Sequence, residues 1–180
     1  MSVYVAFLRG MNLGGRRITN DDLRAACEGL GLEEVETFRA SGNVIFAAPS
    51  GKSSEDVSAA VESGLAKALG YEVPVFLRSG SQVAAIAGRE PFGVKQVKAS
   101  KGKLQVALLP DKPGKLARKE AESMATGDDL LAVEGSELYW LPSGGTSETN
   151  LDLRELEAEL GPWTMRTMGT IEQIAAKYCG

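Results

Sequence analysis

The chain has 180 residues, of which 43% are hydrophobic and 24% charged, and its formal net charge is −4. This composition supports one average domain or two small ones with real cores, which excludes a disordered chain and argues against a general polyanion-binding protein. The absence of histidine excludes Ser-His-Asp and Cys-His catalytic arrangements and every His-ligated metal site.

The first half of the chain shows the order βαββαβ followed by a short helix. Stretches rich in β-branched and aromatic residues predict strands at 3–9, 35–39, 43–47 and 73–78. A capping box at Thr19 predicts a helix whose inner face carries Leu23, Ala26, Cys27 and Leu30. Ser53 begins a second helix, and residues 81–87 form the short final one.

The same order of elements returns in the second half. Residues 93–103 are polar, rich in lysine and without periodicity, which predicts a linker. Strands are then predicted at 104–109, 130–134, 137–141 and 163–167. Helices are predicted at 115–125, with Leu116, Ala117, Ala121 and Met124 inward, at 149–160, and from a cap at Thr170.

We therefore predict an α+β fold of two tandem ferredoxin-like halves, each βαββαβ plus a helix, at 1–92 and 104–180. Both alternating residue sets are apolar in 3–8, and almost so in 104–109, whereas a strand with one solvated face would alternate. Something must therefore cover the second face of each sheet, either the other half of the chain or a second copy of it.

The loop after the first strand is the strongest candidate for a binding site. It runs from Gly10 to Ile18, longer than the roughly two to six residues usual between a strand and a helix. A right-handed first crossover brings this loop and the turn between strands two and three to one end of the sheet. Arginine, amide and backbone N–H groups there suit a phosphate or carboxylate. The predicted ligand-binding residues are Arg9, Asn12, Gly14, Gly15, Arg16, Ser41, Gly42 and Asn43.

A purely structural loop is the alternative at this position. Asp21 and Asp22 lie in the first turn of the following helix and would oppose an incoming anion. Residues 143–146 likewise combine glycines with hydroxyl side chains, but they include no basic residue. They form a weaker candidate for an anion site.

Other polar and sulfur-containing residues are interpreted as structural. Cys27 lies on the inner helix face and is interpreted as a small buried hydrophobe, with a reactive thiol as the alternative. Asp128 and Asp129 are interpreted as solvated turn residues. No sequence motif, and no spacing between possible ligand residues, indicates a metal site or a cofactor site.

The N-terminus lacks the basic residues and cleavage pattern of a secretory signal, and no stretch approaches the roughly 18 apolar residues of a membrane span. A cytoplasmic protein away from membranes is expected. The third strand lacks the basic and aromatic signature of RNA-binding ferredoxin-like sheets, which counts against nucleic acid as a partner.

Two segments, Arg9-Gly10-Met11-Asn12-Leu13-Gly14-Gly15 and Ala40-Ser41-Gly42-Asn43-Val44-Ile45-Phe46, resemble motifs of a bacterial family called domain of unknown function 1697. The resemblance continues almost to the end of the chain, through Val73-Pro74-Val75, Arg78-Ser79, Pro91-Phe92 and Thr164-Met165-Arg166. It implies the tandem ferredoxin-like fold, and it indicates that the loops singled out by topology are those that define the family. It implies no particular activity.

Two functions fit these observations. The first is a protein that binds a small anionic ligand at the Arg9–Arg17 loop and the Ser41–Asn43 turn, and it leaves open whether the protein is an enzyme. Catalytic residues stay unknown, because no nucleophile–base pair is apparent and any catalysis would have to be positional and electrostatic. The alternative is a protein-interaction or self-association module, compatible with a homodimer, that uses the apolar second sheet face.

Overall fold

The computed structural model describes residues 1–10, 18–39 and 42–180. It contains two four-stranded sheets in which all paired strands are antiparallel, and seven α-helices within the described residues. The predicted mixed α+β fold is thus confirmed. The chain divides into two compact units, residues 1–86 with 173–180 and residues 87–172.

The first unit contains one sheet with the strand order β2-β3-β1-β4. Its elements are β1 (Ser2–Leu8), α1 (Asn20–Gly29), β2 (Glu33–Thr37), β3 (Asn43–Ala48), α2 (Ser54–Leu69), β4 (Val75–Ser79) and α3 (Gly80–Ala87). Helix α1 begins after Thr19, whose side chain accepts the Asp22 N–H, and α2 begins after Ser53, whose side chain accepts the Asp56 N–H. Both predicted N-caps are therefore present, each satisfying one otherwise unpaired helix donor.

The core of the first unit lies between the sheet and the helices α1 and α2. Alternate side chains of β1 and β3 pack there against Leu23, Cys27, Val57, Val61 and Leu65. Leu30 was predicted to join this core, but its side chain is 37% exposed. It follows the last residue of α1 and lies over Gly64 of α2, where a Cβ would collide with it.

The second unit contains a sheet with the equivalent order β6-β7-β5-β8. Its elements are α4 (Val94–Ala99), β5 (Gln105–Leu108), α5 (Lys115–Ser123), β6 (Leu130–Glu134), β7 (Glu137–Leu141), α6 (Leu153–Leu160), β8 (Thr164–Thr167) and α7 (Met168–Tyr178). The last residues of α7, from Gln173, pack with the first unit.

The structure differs from the predicted division of the chain. The segment 93–103, predicted as a linker, contains α4 and is held within the second unit. The Ser100 hydroxyl donates to the Pro142 carbonyl at 2.9 Å, and a Cβ on Gly102 would collide with that carbonyl. Polar composition did not exclude a helix here, because the lysines at 95 and 98 lie on the exposed surface of α4.

Two helices of the second unit also differ from expectation. Leu116 is 72% exposed rather than inward, because the packed stripe of α5 runs through Ala117, Ala121 and Met124, four and then three residues apart. Helix α7 begins at Met168, and the hydroxyl of Thr167 accepts the Thr170 N–H at 3.2 Å. Thr167, rather than Thr170, therefore caps this helix.

Both faces of each central strand are buried, as predicted. On the face turned away from α1 and α2, Val5 and Phe7 are fully buried, and so are Val106 and Leu108 at the corresponding positions of β5. This burial occurs within a single chain.

A polar cluster lies on this second face of the β5-containing sheet. The guanidinium of Arg89 donates to the Glu137 carboxylate at 2.6 Å and to the Tyr139 hydroxyl at 2.8 Å. Glu137 and Tyr139 are both buried. Burial raises the pKa of the Tyr139 phenol from 10 to about 12, so the neutral phenol is the form that the fold stabilises.

Asp129 is a buried hydrogen-bond acceptor rather than a solvated turn residue. Its carboxylate accepts the indole N–H of Trp140 at 2.9 Å and the hydroxyl of Thr126 at 3.2 Å. Only 1% of Asp129 is exposed. The prediction for this residue was wrong because its acceptor role depends on a tryptophan eleven positions further along the chain.

We expect Asp129→Ala to lower the free energy of unfolding of the second unit by about 1–3 kcal/mol, because it leaves the buried Trp140 N–H without its acceptor. Asp128→Ala, which changes an exposed neighbour, is the matched control and should cost less than about 0.5 kcal/mol. Urea unfolding followed by tryptophan fluorescence measures this, since both tryptophans lie in 87–172. Equal losses in the two variants would contradict the assignment.

Tyr139 should make stability fall at alkaline pH. The unfolded phenol ionises near 10 and the folded one near 12, so deprotonation favours unfolding across that interval and costs on the order of 2 kcal/mol. Tyr139→Phe has no phenol to ionise and so does not lose this stability. Its free energy of unfolding should therefore approach that of wild type as the pH is raised from about 9 to about 11. Parallel stability curves for the two proteins would show that the phenol makes no such contribution.

Candidate functional site

The end of β1 and the turn between β2 and β3 lie together at one end of the first sheet. The Leu8 N–H donates to the Gly42 carbonyl at 2.8 Å, and Phe7 pairs with Asn43 in the β1–β3 register. Arg9 follows at once, with its N–H bound to the Pro74 carbonyl at 3.1 Å. Three of the predicted site residues are thus held at the same end of the sheet.

The remaining predicted site residues, namely Asn12, Gly14, Gly15, Arg16 and Ser41, lie outside the described residues.

The backbone around this end of the sheet uses the left-handed region at three positions. Gly10 has φ 69° and Gly42 has φ 78°, conformations that glycine adopts without a steric cost. Arg39 has φ 59°, which a non-glycine residue adopts only when the surroundings hold it. The side-chain amide of Asn20 provides such a contact by donating to the Arg39 carbonyl at 3.2 Å.

The side chain of Arg39 carries a positive charge to this end of the sheet. Its Nη2 donates to the Gln173 Oε1 at 2.7 Å, and its guanidinium carbon lies 5.6 Å from the centre of the Phe38 ring. Both partners are neutral, so these contacts orient the guanidinium without neutralising it. Arg39 is exposed and accessible to a ligand from solvent.

The last turns of α7 complete this part of the first unit. The Tyr178 hydroxyl donates to the Glu36 carboxylate at 2.8 Å, and the Tyr178 ring meets the Phe38 ring edge-on at 6.4 Å. Lys177 lies 4.0 Å from the same carboxylate. These contacts hold Gln173 beside Arg39. No local pattern in the sequence predicts them, because they join residues more than 130 positions apart.

Asn43 holds the turn. Its side-chain amide donates to the Phe38 carbonyl at 2.9 Å, while its own carbonyl accepts the Phe38 N–H at 3.1 Å. The residue is fully buried. These contacts give Asn43 a positioning function, and direct contact of Asn43 with a ligand stays a prediction from the sequence.

The two cysteines do not offer an activated nucleophile. Burial, with a further contribution from the charge of Glu28, raises the pKa of the Cys27 thiol to about 11. Burial also raises the pKa of the Cys179 thiol. Both thiols are therefore protonated near neutral pH. This agrees with the interpretation of Cys27 as a small buried hydrophobe.

A carboxylate lies beside the glycines of the second predicted loop. In 143–146 a Cβ on Gly144 would lie 3.3 Å from a carboxylate oxygen of Glu148. That negative charge would repel an anion approaching the glycines.

The described part of the chain contains neither a metal-ion cluster nor a membrane-spanning helix. Across residues 1–10, 18–39 and 42–180, no cluster of three or more Cys, Asp or Glu side chains is arranged to hold a metal ion. No helix in those ranges combines the length and the apolar character needed to cross a bilayer.

Asn43→Ala should destabilise the first unit by about 1–3 kcal/mol, because it removes a buried donor and leaves the Phe38 carbonyl without it. Asn20→Ala removes a comparable amide bond to a turn carbonyl at a more accessible position, and should cost less than about 1 kcal/mol. Circular dichroism during urea unfolding gives both values. A loss in Asn43→Ala no larger than that in Asn20→Ala would count against the positioning role.

Comparison with known proteins shows the fold and the family. The conserved bacterial protein SP0830 from Streptococcus pneumoniae has a solved structure that matches 98% of this chain and 97% of its own, with a TM-score of 0.74 and 20% sequence identity. At this identity the likeness concerns the fold. None of the curated proteins matches the chain. The sequence model of the family described as Protein of unknown function (DUF1697) matches residues 1–139, and the chain belongs to that family.

Proposed function

We propose that the protein binds a small anionic ligand, bearing a phosphate or carboxylate group, where β1 ends beside the β2–β3 turn. The observation that carries this proposal is the hydrogen bond from the Leu8 N–H to the Gly42 carbonyl. It fixes the start of one loop against the other, so that Arg9 and Arg39 belong to the same end of the sheet. Arginine forks are well suited to planar carboxylates and to phosphates.

The charge for this site comes from side chains rather than from the helix that follows. Thr19 already caps α1 by accepting the Asp22 N–H, and Asp21 and Asp22 make its first turn acidic. The α1 N-terminus therefore offers an anion little attraction. Arg39 is the better-supported contact, because Gln173 and Phe38 orient it without cancelling its charge. Asn12, Gly14, Gly15, Arg16 and Ser41 complete the ligand set proposed from the sequence.

We also propose that each half of the chain is a ferredoxin-like unit. The strand orders β2-β3-β1-β4 and β6-β7-β5-β8 support this, because each places the first strand of its unit between the third and the fourth. A cytoplasmic location, as expected from the sequence, forms part of the same proposal.

Self-association through the second sheet face is the less favoured function. Its surface would have to come from side chains such as Val5, Phe7 and Val106, and each of these has no exposed area in a single chain. A small ligand at an accessible arginine needs no such surface.

To test the anion site, the isotope-labelled full chain is titrated with inorganic phosphate and, separately, with malonate at low ionic strength. We expect saturable shifts of the Gly42 and Arg39 amide resonances with at least one probe. Arg39→Gln and Arg9→Gln should each weaken binding about tenfold, because each removes a charge-assisted donor. Arg24→Gln, which changes an exposed arginine on α1, is the matched control and should leave the affinity unchanged.

Two results would overturn the proposal. One is the absence of any shift at Gly42 and Arg39 with either probe. The other is an equal loss of affinity in Arg24→Gln, which would indicate attraction by overall charge rather than by this end of the sheet.

A further inference from the structure

A cleft with basic walls lies in the second unit and shares no residue with the anion site proposed above. It has a volume of about 320 Å³ and is lined by Lys112, Pro113, Lys115, Arg118, Val133 and Gly135. We refer to these six residues as the α5 cleft. The size lies at the lower end of the range of small-molecule pockets, roughly 300–1,000 Å³.

The elements around the α5 cleft hold its shape. Lys115 and Arg118 stand on the first turn of α5, and Lys112 and Pro113 immediately precede that helix. Val133 is a buried residue of β6, and Gly135 turns the β6–β7 hairpin with φ 58°. A helix, a proline and a strand therefore provide a largely preformed cleft.

The residues that line the cleft give it a positive charge. Three of the six lining residues are cationic and none is acidic. Arg118 pairs through Nε with Glu122 at 2.9 Å, but both groups are well exposed, and exposed helix pairs of this kind contribute only about 0.3–0.5 kcal/mol. A ligand can therefore recruit this guanidinium at little cost.

Two acidic residues beside Gly135 are paired with Arg89. Glu134 lies 3.7 Å from Arg89, and the buried Glu137 accepts the short bond from the same guanidinium. Arg89 thus offsets the carboxylates on both sides of Gly135. The first turn of α5 contains no acidic residue, in contrast to that of α1.

We propose that the α5 cleft binds the phosphate group of a small phosphomonoester. Lys112, Lys115 and Arg118 match the dianionic charge of that group, and the apolar ring of Pro113 accommodates part of a short carbon skeleton. This site shares no residue with the anion site of the first unit, so either proposal can fail without the other.

The test uses phenyl phosphate as the probe and phenol as its uncharged counterpart. The labelled full chain is titrated at low ionic strength, with the amide resonances of Lys115 and Gly135 as local reporters and calorimetry for the affinity. We expect saturable shifts at both amides with phenyl phosphate and much smaller ones with phenol. Affinity should fall as ionic strength rises, since screening weakens contacts with exposed charges.

The double variant Lys112→Gln/Lys115→Gln should weaken phenyl phosphate binding by about tenfold or more, and Arg118→Gln by about fivefold. Lys119→Gln is the matched control, since Lys119 is an exposed lysine of the same helix that does not line the cleft. Arg39→Gln should likewise leave the shifts at Lys115 and Gly135 intact. All five substituted residues are exposed, so thermal unfolding should show that every variant keeps its fold.

The proposal is overturned if phenyl phosphate does not shift the Lys115 and Gly135 amides, or if the shifts fail to saturate. It is also overturned if Lys119→Gln weakens binding as much as the double variant, because attraction would then depend on the net charge of α5. Equal affinity for phenol and phenyl phosphate would show that the cleft recognises only the ring.

Discussion

The hydrogen bond between the Leu8 N–H and the Gly42 carbonyl extends the β1–β3 ladder beyond the end of the strand, and the candidate site depends on it. A ladder of antiparallel bonds fixes register, so the position of one residue determines the positions of its neighbours. Because Phe7 pairs with Asn43, Arg9 and Gly42 flank the ladder at the same end of the sheet. The loop after β1 and the β2–β3 turn can therefore differ in sequence and still start at the same end of the sheet.

Local signals in the sequence predicted much of this fold. Thr19 and Ser53 were identified as caps because capping depends on residues only three positions apart. The burial of both faces of β1 followed from its continuous apolar run. The mixed α+β class followed in the same way from composition and turn residues.

Long-range contacts could not be predicted in this way. Asp129 carries no sequence mark that distinguishes it from Asp128, and only the position of Trp140 makes it a buried acceptor. Gln173 is likewise an unremarkable helical residue until the fold brings it to Arg39. The candidate site was therefore found from topology, whereas the partners that orient its arginine were not.

The two halves also correspond in ways that their sequences conceal. Arg78 lies opposite Val5, and Arg166 lies opposite Val106, so a buried arginine occupies the same register position of the last strand in each sheet. In each case the next residue, Ser79 or Thr167, has a hydroxyl group that accepts a hydrogen bond from a backbone N–H of the following helix. Burial lowers the pKa of Arg166 to about 10.

The division of α7 between the two units has a consequence for how the protein is made. Residues 87–172 are inserted, in chain order, between the two parts of the first unit. Protein domains generally fold as the ribosome releases them, N-terminal portion first. Here Gln173 and Tyr178 emerge after the whole second unit, although they contact Arg39 and Glu36 of the first. The unit that is synthesised first is therefore the last to be completed, and nascent chains carry Arg39 without its amide partner until translation has passed residue 173.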